Sequence, residues 1–214
     1  VPAFGKLEAR VKSPSITPGY WRQAELTRKA FDAEGYYCFG DALAFVDRAD
    51  VYKGFVFDGR VGEDFKLLSG TWVSAGTLRP QLLSHFAPLC ADAVIAGENR
   101  DEVGALVFPD LERCRELIRA AGGAVASDAP AEEVVADPRL RLHFARRLAG
   151  FAARATGPAD RGTRLLLLTE PPSFGNSEIT DKGSINAGNV LRRRRACVEM
   201  LYADPPAGAV IVAE

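Results

Sequence analysis

The chain has 214 residues, 47% hydrophobic and 26% charged, with a formal net charge of −1. That is enough for one large or two small domains with real cores, and too neutral for a global field that would recruit nucleic acid or an anionic membrane. No apolar run approaches membrane-spanning length and no secretory leader is expected. Its four cysteines (Cys38, Cys90, Cys114, Cys197) and two histidines (His85, His143) lie scattered without a C-x-x-C pair. This argues against a zinc site or a disulfide framework and points to a reducing cytoplasm.

In chain order, the sequence opens on Val1 rather than methionine and reads as a piece of something longer. Alternation at Leu7, Ala9 and Val11 predicts a half-buried strand. The stretch S-P-S-I-T-P-G-Y-W (13–21) forces a loop ending in Tyr20 and Trp21. Residues 22–31 suit a short helix with Leu26 and Ala30 or Phe31 on one face. Tyr36–Phe39 reads as an aromatic strand closed by Gly40-Asp41, followed by strands at Leu43–Val46 and Gly54–Phe57. Asp58-Gly59 is the strongest turn signal in the chain. The first 58 residues are thus β-rich and too few for a well-cored domain of their own.

The character changes after Arg60. A hairpin (63–74) leads to a helix beginning near Thr77, with Leu78, Leu82 and Phe86 on one stripe. Ala93–Ala96 and Val103–Phe108 flank the polar turn E-N-R-D as an antiparallel pair. Leu111–Ala121 is a helix stopped by Gly122-Gly123, and 124–136 is a loose connection or a short turn of helix. Leu140–Ala155 is a helix with Leu140, Phe144, Leu148 and Phe151 inward; Arg164–Thr169 is a buried strand. A polar loop (170–189), a last helix (Val190–Tyr202) and Pro205-Pro206 end the fold. The expected class is α+β, helices covering a short sheet.

Four places could carry chemistry. Asp41, just after a glycine at a strand end, can grip vicinal hydroxyls with both carboxylate oxygens; the commoner use is a plain turn aspartate. In D-G-R-V-G-E-D-F-K (58–66), Arg60 offers a planar donor fork to hydroxyls or phosphate and Gly62 gives freedom for a swing. A charged hairpin with weak local ion pairs reads the same way. In S-G-T-W (69–72), Gly70 allows close backbone approach by a ligand and Trp72 a flat wall, unless these are a bulge and a core tryptophan. In E-I-T-D-K-G-S-I-N (178–186), Lys182 can reach an anion as a point charge, or simply be solvated. The run Arg192–Arg195 is read as a solvated helix face, with Arg194 inside the apolar arc and so snorkelling or paired. His85 and His143 are read as structural.

Taken in their order, P-G-Y-W, Y-C-F-G-D, D-G-R-V-G-E-D-F-K-L-L-S-G and I-T-D-K-G-S-I-N resemble the carboxyl-terminal third of the acyl-adenylate-forming (AMP-binding) superfamily. The wording of the last two is similar to the feruloyl-CoA synthetase and aryl-CoA ligase branch. The resemblance implies the fold of the small carboxyl-terminal domain, residues 60–214, preceded by a β-rich tail of the large AMP-binding domain, residues 1–59. It implies two steps: an acid attacks the α-phosphate of ATP to form an acyl-adenylate, with magnesium bound through the missing large domain, and coenzyme A then displaces AMP while the small domain rotates between the two.

By that resemblance Lys182 is catalytic, Asp41 and Arg60 bind the adenylate ribose, Gly62 and Glu63 form the hinge, and Lys66, Gly70 and Trp72 line the CoA tunnel. The chain departs from the pattern at the hinge, where Gly62 replaces the usual Asp or Lys. The loop before Gly70 is one residue longer, and D-K-G stands where relatives carry G-K. The expected partners are an aromatic carboxylic acid, CoA and a large adenylation domain, without which the chain is expected to be inactive. The alternative is a free-standing accessory module that docks on a separate adenylation subunit.

Overall fold

A computed structural model describes residues 7–213. They divide into two compact units, the first ending at Asp64 and the second starting at Phe65.

The first unit is a three-stranded antiparallel sheet in the order β1-β2-β3, with β1 at Leu7–Val11, β2 at Tyr37–Phe45 and β3 at Phe55–Arg60; helix α1 (Ala24–Ala30) lies between the first two strands in sequence. Two sequence expectations change here, for one reason. Gly40-Asp41 does not end a strand, and Asp58-Gly59 does not make a hairpin turn. Gly40 (φ 72°) and Gly59 (φ 85°) adopt left-handed backbone inside β2 and β3, where the register shifts between Asp41 and Leu43. A glycine with positive φ serves a bulge as well as a turn, so the local signal was right and its use different. The reversal between β2 and β3 is made at residues 46–54 instead, closed by Val46 N–H donating to the Gly54 carbonyl at 3.1 Å. Among the described residues of this unit only Ala42 and Gly59 are buried, while Phe55, Phe57, Trp21 and Tyr52 are exposed.

The second unit has a core on each side of one sheet. A small hairpin, β4 (Phe65–Lys66) with β5 (Trp72–Val73), leads into helix α2 (Ala75–Phe86). Then come β6 (Cys90–Ala96), β7 (Val103–Pro109), α3 (Leu111–Ala120), α4 (Ala131–Ala136), α5 (Pro138–Ala152), β8 (Gly162–Leu167), α6 (Ala187–Arg193), α7 (Arg195–Leu201) and β9 (Val210–Val212). The sheet order is β6-β7-β8-β9; β7 and β8 run parallel and the other pairs antiparallel.

Strand side chains alternate between faces. Odd-numbered Ala93, Ile95, Ala105, Val107, Leu165 and Leu167 meet Leu78, Leu82 and Phe86 of α2, Cys114 and Ile118 of α3, and the Leu140, Phe144, Leu148, Phe151 stripe of α5. Even-numbered Val94, Ala96, Leu106, Phe108, Leu166 and Leu168 meet Val190 and Leu201 of α6 and α7. A sheet buried on both faces has near-continuous apolar strands, as the sequence of β7 and β8 shows. The last helix, expected to be unbroken, is interrupted at Arg194. Nor does Pro205-Pro206 end the fold. Chain beyond it returns as β9, held by Arg141, whose guanidinium donates to the carbonyls of Gly208 (2.7 Å), Ala209 (2.9 Å) and Val210 (3.1 Å).

Candidate functional site

In the first unit the bulge brings two sequence-predicted residues face to face. Asp41 and Arg60 are register partners, with Arg60 Nε 3.4 Å from Asp41 Oδ1. The pair is loose. Arg60 is 61% exposed, and the buried Asp41 Oδ1 has no hydrogen-bond partner. A carboxylate with spare acceptor capacity beside an exposed guanidinium is suited to chelating a diol. Directly after it the chain makes a short 3₁₀ turn at Val61–Glu63. Gly62 does not have left-handed backbone there, and a Cβ on it would meet nothing within 4 Å. This conformation therefore does not itself require glycine.

In the second unit the β4–β5 hairpin ends in a three-residue tip. Gly70 N–H donates to the Leu67 carbonyl (2.9 Å), Leu67 N–H to the Thr71 carbonyl (2.9 Å), and Gly70 has φ 83°. Leu67 is buried, while Leu68, Ser69 and Gly70 are exposed. Lys66 pairs with Trp72 across the hairpin, its Nζ 4.9 Å from the indole centroid, within cation–π range. Two backbone hydrogen bonds, Leu68 N–H to Arg100 O (2.8 Å) and Asn99 N–H to Lys66 O (2.9 Å), fasten the hairpin to the β6–β7 turn. Lys66, Gly70 and Trp72 thus share one small element.

Lys182 lies on a second tip of the same design. Gly183 N–H donates to the Thr180 carbonyl (2.8 Å), Thr180 N–H to the Ser184 carbonyl (2.8 Å), and Gly183 has φ 81°. Ile179 and Ile185 bridge the base. Three-residue hairpins use this arrangement, a turn followed by a left-handed glycine. What the sequence read as a polar loop is therefore a small built hairpin with Lys182 exposed at its end.

Its footing was not foreseen. Glu178, immediately before the hairpin, is buried, and both its carboxylate oxygens take hydrogen bonds from Arg194: Nε to Oε1 at 2.9 Å and Nη2 to Oε2 at 2.8 Å. Arg194 also donates to the carbonyls of Glu170 (2.9 Å) and Pro171 (2.8 Å), and lies 5.0 Å from the Phe108 ring centroid. Glu178 in turn accepts from Ser173 N–H at 2.9 Å. The Arg194 guanidinium holds the Glu178 carboxyl below its ordinary range, outweighing desolvation, which pushes it up. The available signal was the placement of Arg194 inside the apolar arc of its helix; nothing in the sequence named its partner.

The topology sets the two tips apart. The β4–β5 tip is fastened at the turn where β7 begins. Arg194 stacks on Phe108, near the end of β7, and reaches Glu170, just beyond the end of the parallel strand β8. A seven-residue strand such as β7 spans roughly 20 Å. The hairpin fastening and the Glu178–Arg194 pair therefore stand at opposite ends of one rigid sheet. Among the described residues no three His, Cys, Asp or Glu side chains cluster so as to hold a metal ion, and no helix is long and apolar enough to cross a membrane.

No family model matches the chain. In sequence it is 33% identical over 199 residues to a carboxylic acid reductase of Mycobacterium marinum, an alignment spanning 92% of this chain and 15% of that protein. It is 26% identical over 180 residues to a malonate–CoA ligase of Arabidopsis thaliana, spanning 84% of this chain and 26% of that protein. In fold it resembles the A domain of a carboxylic acid reductase from Segniliparus rugosus, solved with AMP and a co-purified carboxylic acid. The TM-score is 0.67 at 23% identity, over 94% of this chain and 28% of that one. The relatives and structural neighbours are adenylate-forming enzymes, and the chain spans only a small part of their length.

Proposed function

We propose that this chain, kin by sequence and fold to the AMP-binding, adenylate-forming enzymes, is the carboxyl-terminal part of an ATP-dependent acid–CoA ligase of the feruloyl-CoA synthetase type. Residues up to Gly59 are the tail of the large domain and those from Arg60 onward the mobile domain. The observation that carries the reading is the pair of glycine-built hairpin tips footed at opposite ends of one sheet. A two-step ligase needs two different working faces on one moving part.

In the first step the acid attacks the α-phosphate of ATP, pyrophosphate leaves and an acyl-adenylate forms. Negative charge concentrates on the phosphoryl oxygens, and the Lys182 ammonium, presented on a braced tip, offsets it. Asp41 accepts hydrogen bonds from both ribose hydroxyls while Arg60 donates at the same edge. In the second step the CoA thiol attacks the acyl carbonyl and AMP leaves. The swing about Arg60–Glu63 withdraws Lys182 and brings up the β4–β5 hairpin, where Gly70 admits the pantetheine close to the backbone and Trp72 walls it. Among the described residues no carboxylate cluster suits magnesium, so the ion that accompanies ATP is assigned to the phosphates and the large domain, and no step here depends on it. The acid is taken to be aromatic. The four free thiols fit a reducing, cytoplasmic setting. Alone, the chain is expected not to adenylate.

In the enzyme completed by its large domain, Lys182→Ala should abolish acid-dependent pyrophosphate exchange yet leave CoA transfer from a supplied acyl-adenylate unchanged. Equal loss of both half-reactions overturns the role given to Lys182. A docking competition separates the accessory-module reading: a module that binds a complete, separately active adenylation subunit, without altering either half-reaction, is not a ligase part.

A further inference from the structure

The reading above gives neither Glu178, the first residue of the Lys182 motif, nor Arg194 a role, yet their pair is among the most buried charged pairs of the described residues, with side-chain exposures of 4% and 12%. A buried ion pair is weak as a source of stability, because desolvating two charges offsets most of their attraction; its best-attested use is to fix a geometry. The geometry fixed here is specific. The Arg194 side chain makes four hydrogen bonds, all to one loop: two to Glu178 and one each to the carbonyls of Glu170 and Pro171. It does so from the position where the helix breaks, its backbone at φ −95°, ψ 33° between α6 and α7. Glu178 closes the loop again by accepting from Ser173 N–H, and its own carbonyl accepts from Asn186 N–H at 2.9 Å, the far side of the Lys182 hairpin. From Glu178 to Asn186 the chain is then a stem, bridged at Ile179–Ile185 and capped by the Gly183 turn. Lys182 has no ion pair or hydrogen bond of its own among the described residues. Its place is set by this stem.

We propose that the Glu178–Arg194 clasp is a positioning device for Lys182: it holds the foot of the hairpin so that the ammonium arrives at the phosphoryl group in one orientation. The inference rests on the adenylation role proposed for Lys182. It predicts that loosening the clasp damages one half-reaction and not the other, since the β4–β5 hairpin is fastened at the opposite end of the sheet.

The test uses two variants with Lys182→Ala as reference. Glu178→Gln keeps the shape and removes the charge. Arg194→Lys keeps the charge and removes the planar fork that serves four acceptors. In the completed enzyme each should lower adenylation by about 100-fold, the scale expected when a catalytic group is displaced by an ångström, with thioester formation from supplied acyl-adenylate unchanged. In this chain alone, amide exchange should quicken at Thr180, Gly183, Ser184 and Asn186 while the amides of β7 and α5 keep their rates. Equal loss in both half-reactions makes the clasp merely structural and overturns the inference, as does a loosened hairpin with unimpaired adenylation. Should Glu178→Gln fail to fold, Arg194→Lys reads the same quantities. If Lys182→Ala itself leaves adenylation intact, the functional reading fails; if it abolishes adenylation while the clasp variants are indifferent, only the clasp fails.

Discussion

Glu178 shows how much can hang on one carboxylate. Its folded pKa is depressed, first by the hydrogen bonds from Arg194, then by the Ser173 amide and the charges of Arg194 and Arg193, against the opposing pull of burial. A depressed carboxyl stabilises the folded state at any pH above its unfolded value, about 4.3 for glutamate, and that contribution is lost as pH falls through the lower folded value. The Tm of the wild-type chain should therefore exceed that of Glu178→Gln by a constant margin from neutral pH down to about 4.5, and the margin should shrink in stronger acid. A margin that stays constant into strong acid would mean that the carboxylate is not held as an ion. Arg194→Ala strands the acid in a buried site and should cost about 3–5 kcal/mol. Half of this pair was legible. An arginine inside an apolar helical arc must be paired or snorkel, and it is paired. The partner lies 16 residues away on a loop, and no local pattern encodes such a distance.

Elements were read best where one period governs many residues and worst where glycine decides. The stripes of α2 and α5 were evident because four-residue spacing leaves little choice of face. Asp58-Gly59 gave a true demand for left-handed backbone, but a bulge meets that demand as well as a turn, so strand β3 runs three residues further than expected, to Arg60. Three residues of β9 followed by few others are too short to show alternation; the strand exists because β8 offers an edge and Arg141 gathers the carbonyls of 208–210.

The three site glycines differ in a way that mutation separates. Gly70 and Gly183 have φ 83° and 81°, with nothing within 4 Å of a built Cβ. Alanine at either position should therefore cost only the left-handed backbone penalty, about 1–2 kcal/mol. Gly62 carries no such demand, and Gly62→Ala should instead stabilise the chain by about 0.4–1 kcal/mol by restricting the unfolded state. Denaturant midpoints of the three variants check this; destabilisation by Gly62→Ala would show that the pivot already needs glycine in this conformation. If Gly62 serves the swing, the same variant in the completed enzyme slows turnover while the chain grows more stable.

At the scale of the molecule the two units are unequal in kind. The second has apolar side chains buried on both faces of its sheet, with Phe86 and Phe144 stacked at 5.3 Å in the larger core. The first has a sheet whose described residues include only Ala42 and Gly59 as buried positions; Phe31, Tyr37, Leu43 and Phe45 are half-buried, and Phe55, Phe57, Trp21 and Tyr52 are exposed. Burial of apolar area is the main favourable term in folding, about 25 cal/mol per Å², and conformational entropy of about 1–2 kcal/mol per residue opposes it everywhere. A sheet with almost nothing buried has little to set against that cost. The first unit should therefore open first. Amides of β2 and β3 should exchange through openings of much lower free energy than those of β7 and β8, and urea should give two transitions, the earlier one with the smaller slope because it exposes less new surface. A chain cut to residues 65–213 should keep the later transition. One coincident transition seen by all probes would mean that the first unit draws its stability from the second, and the division at Asp64 would then be one of geometry and not of folding. That the early residues were too few for a core was legible from length alone, because surface-to-volume scaling does not depend on the details of the sequence. If the first unit is the tail of a large adenylation domain, as proposed, adding that domain should supply the missing burial and raise the earlier transition while leaving the later one in place.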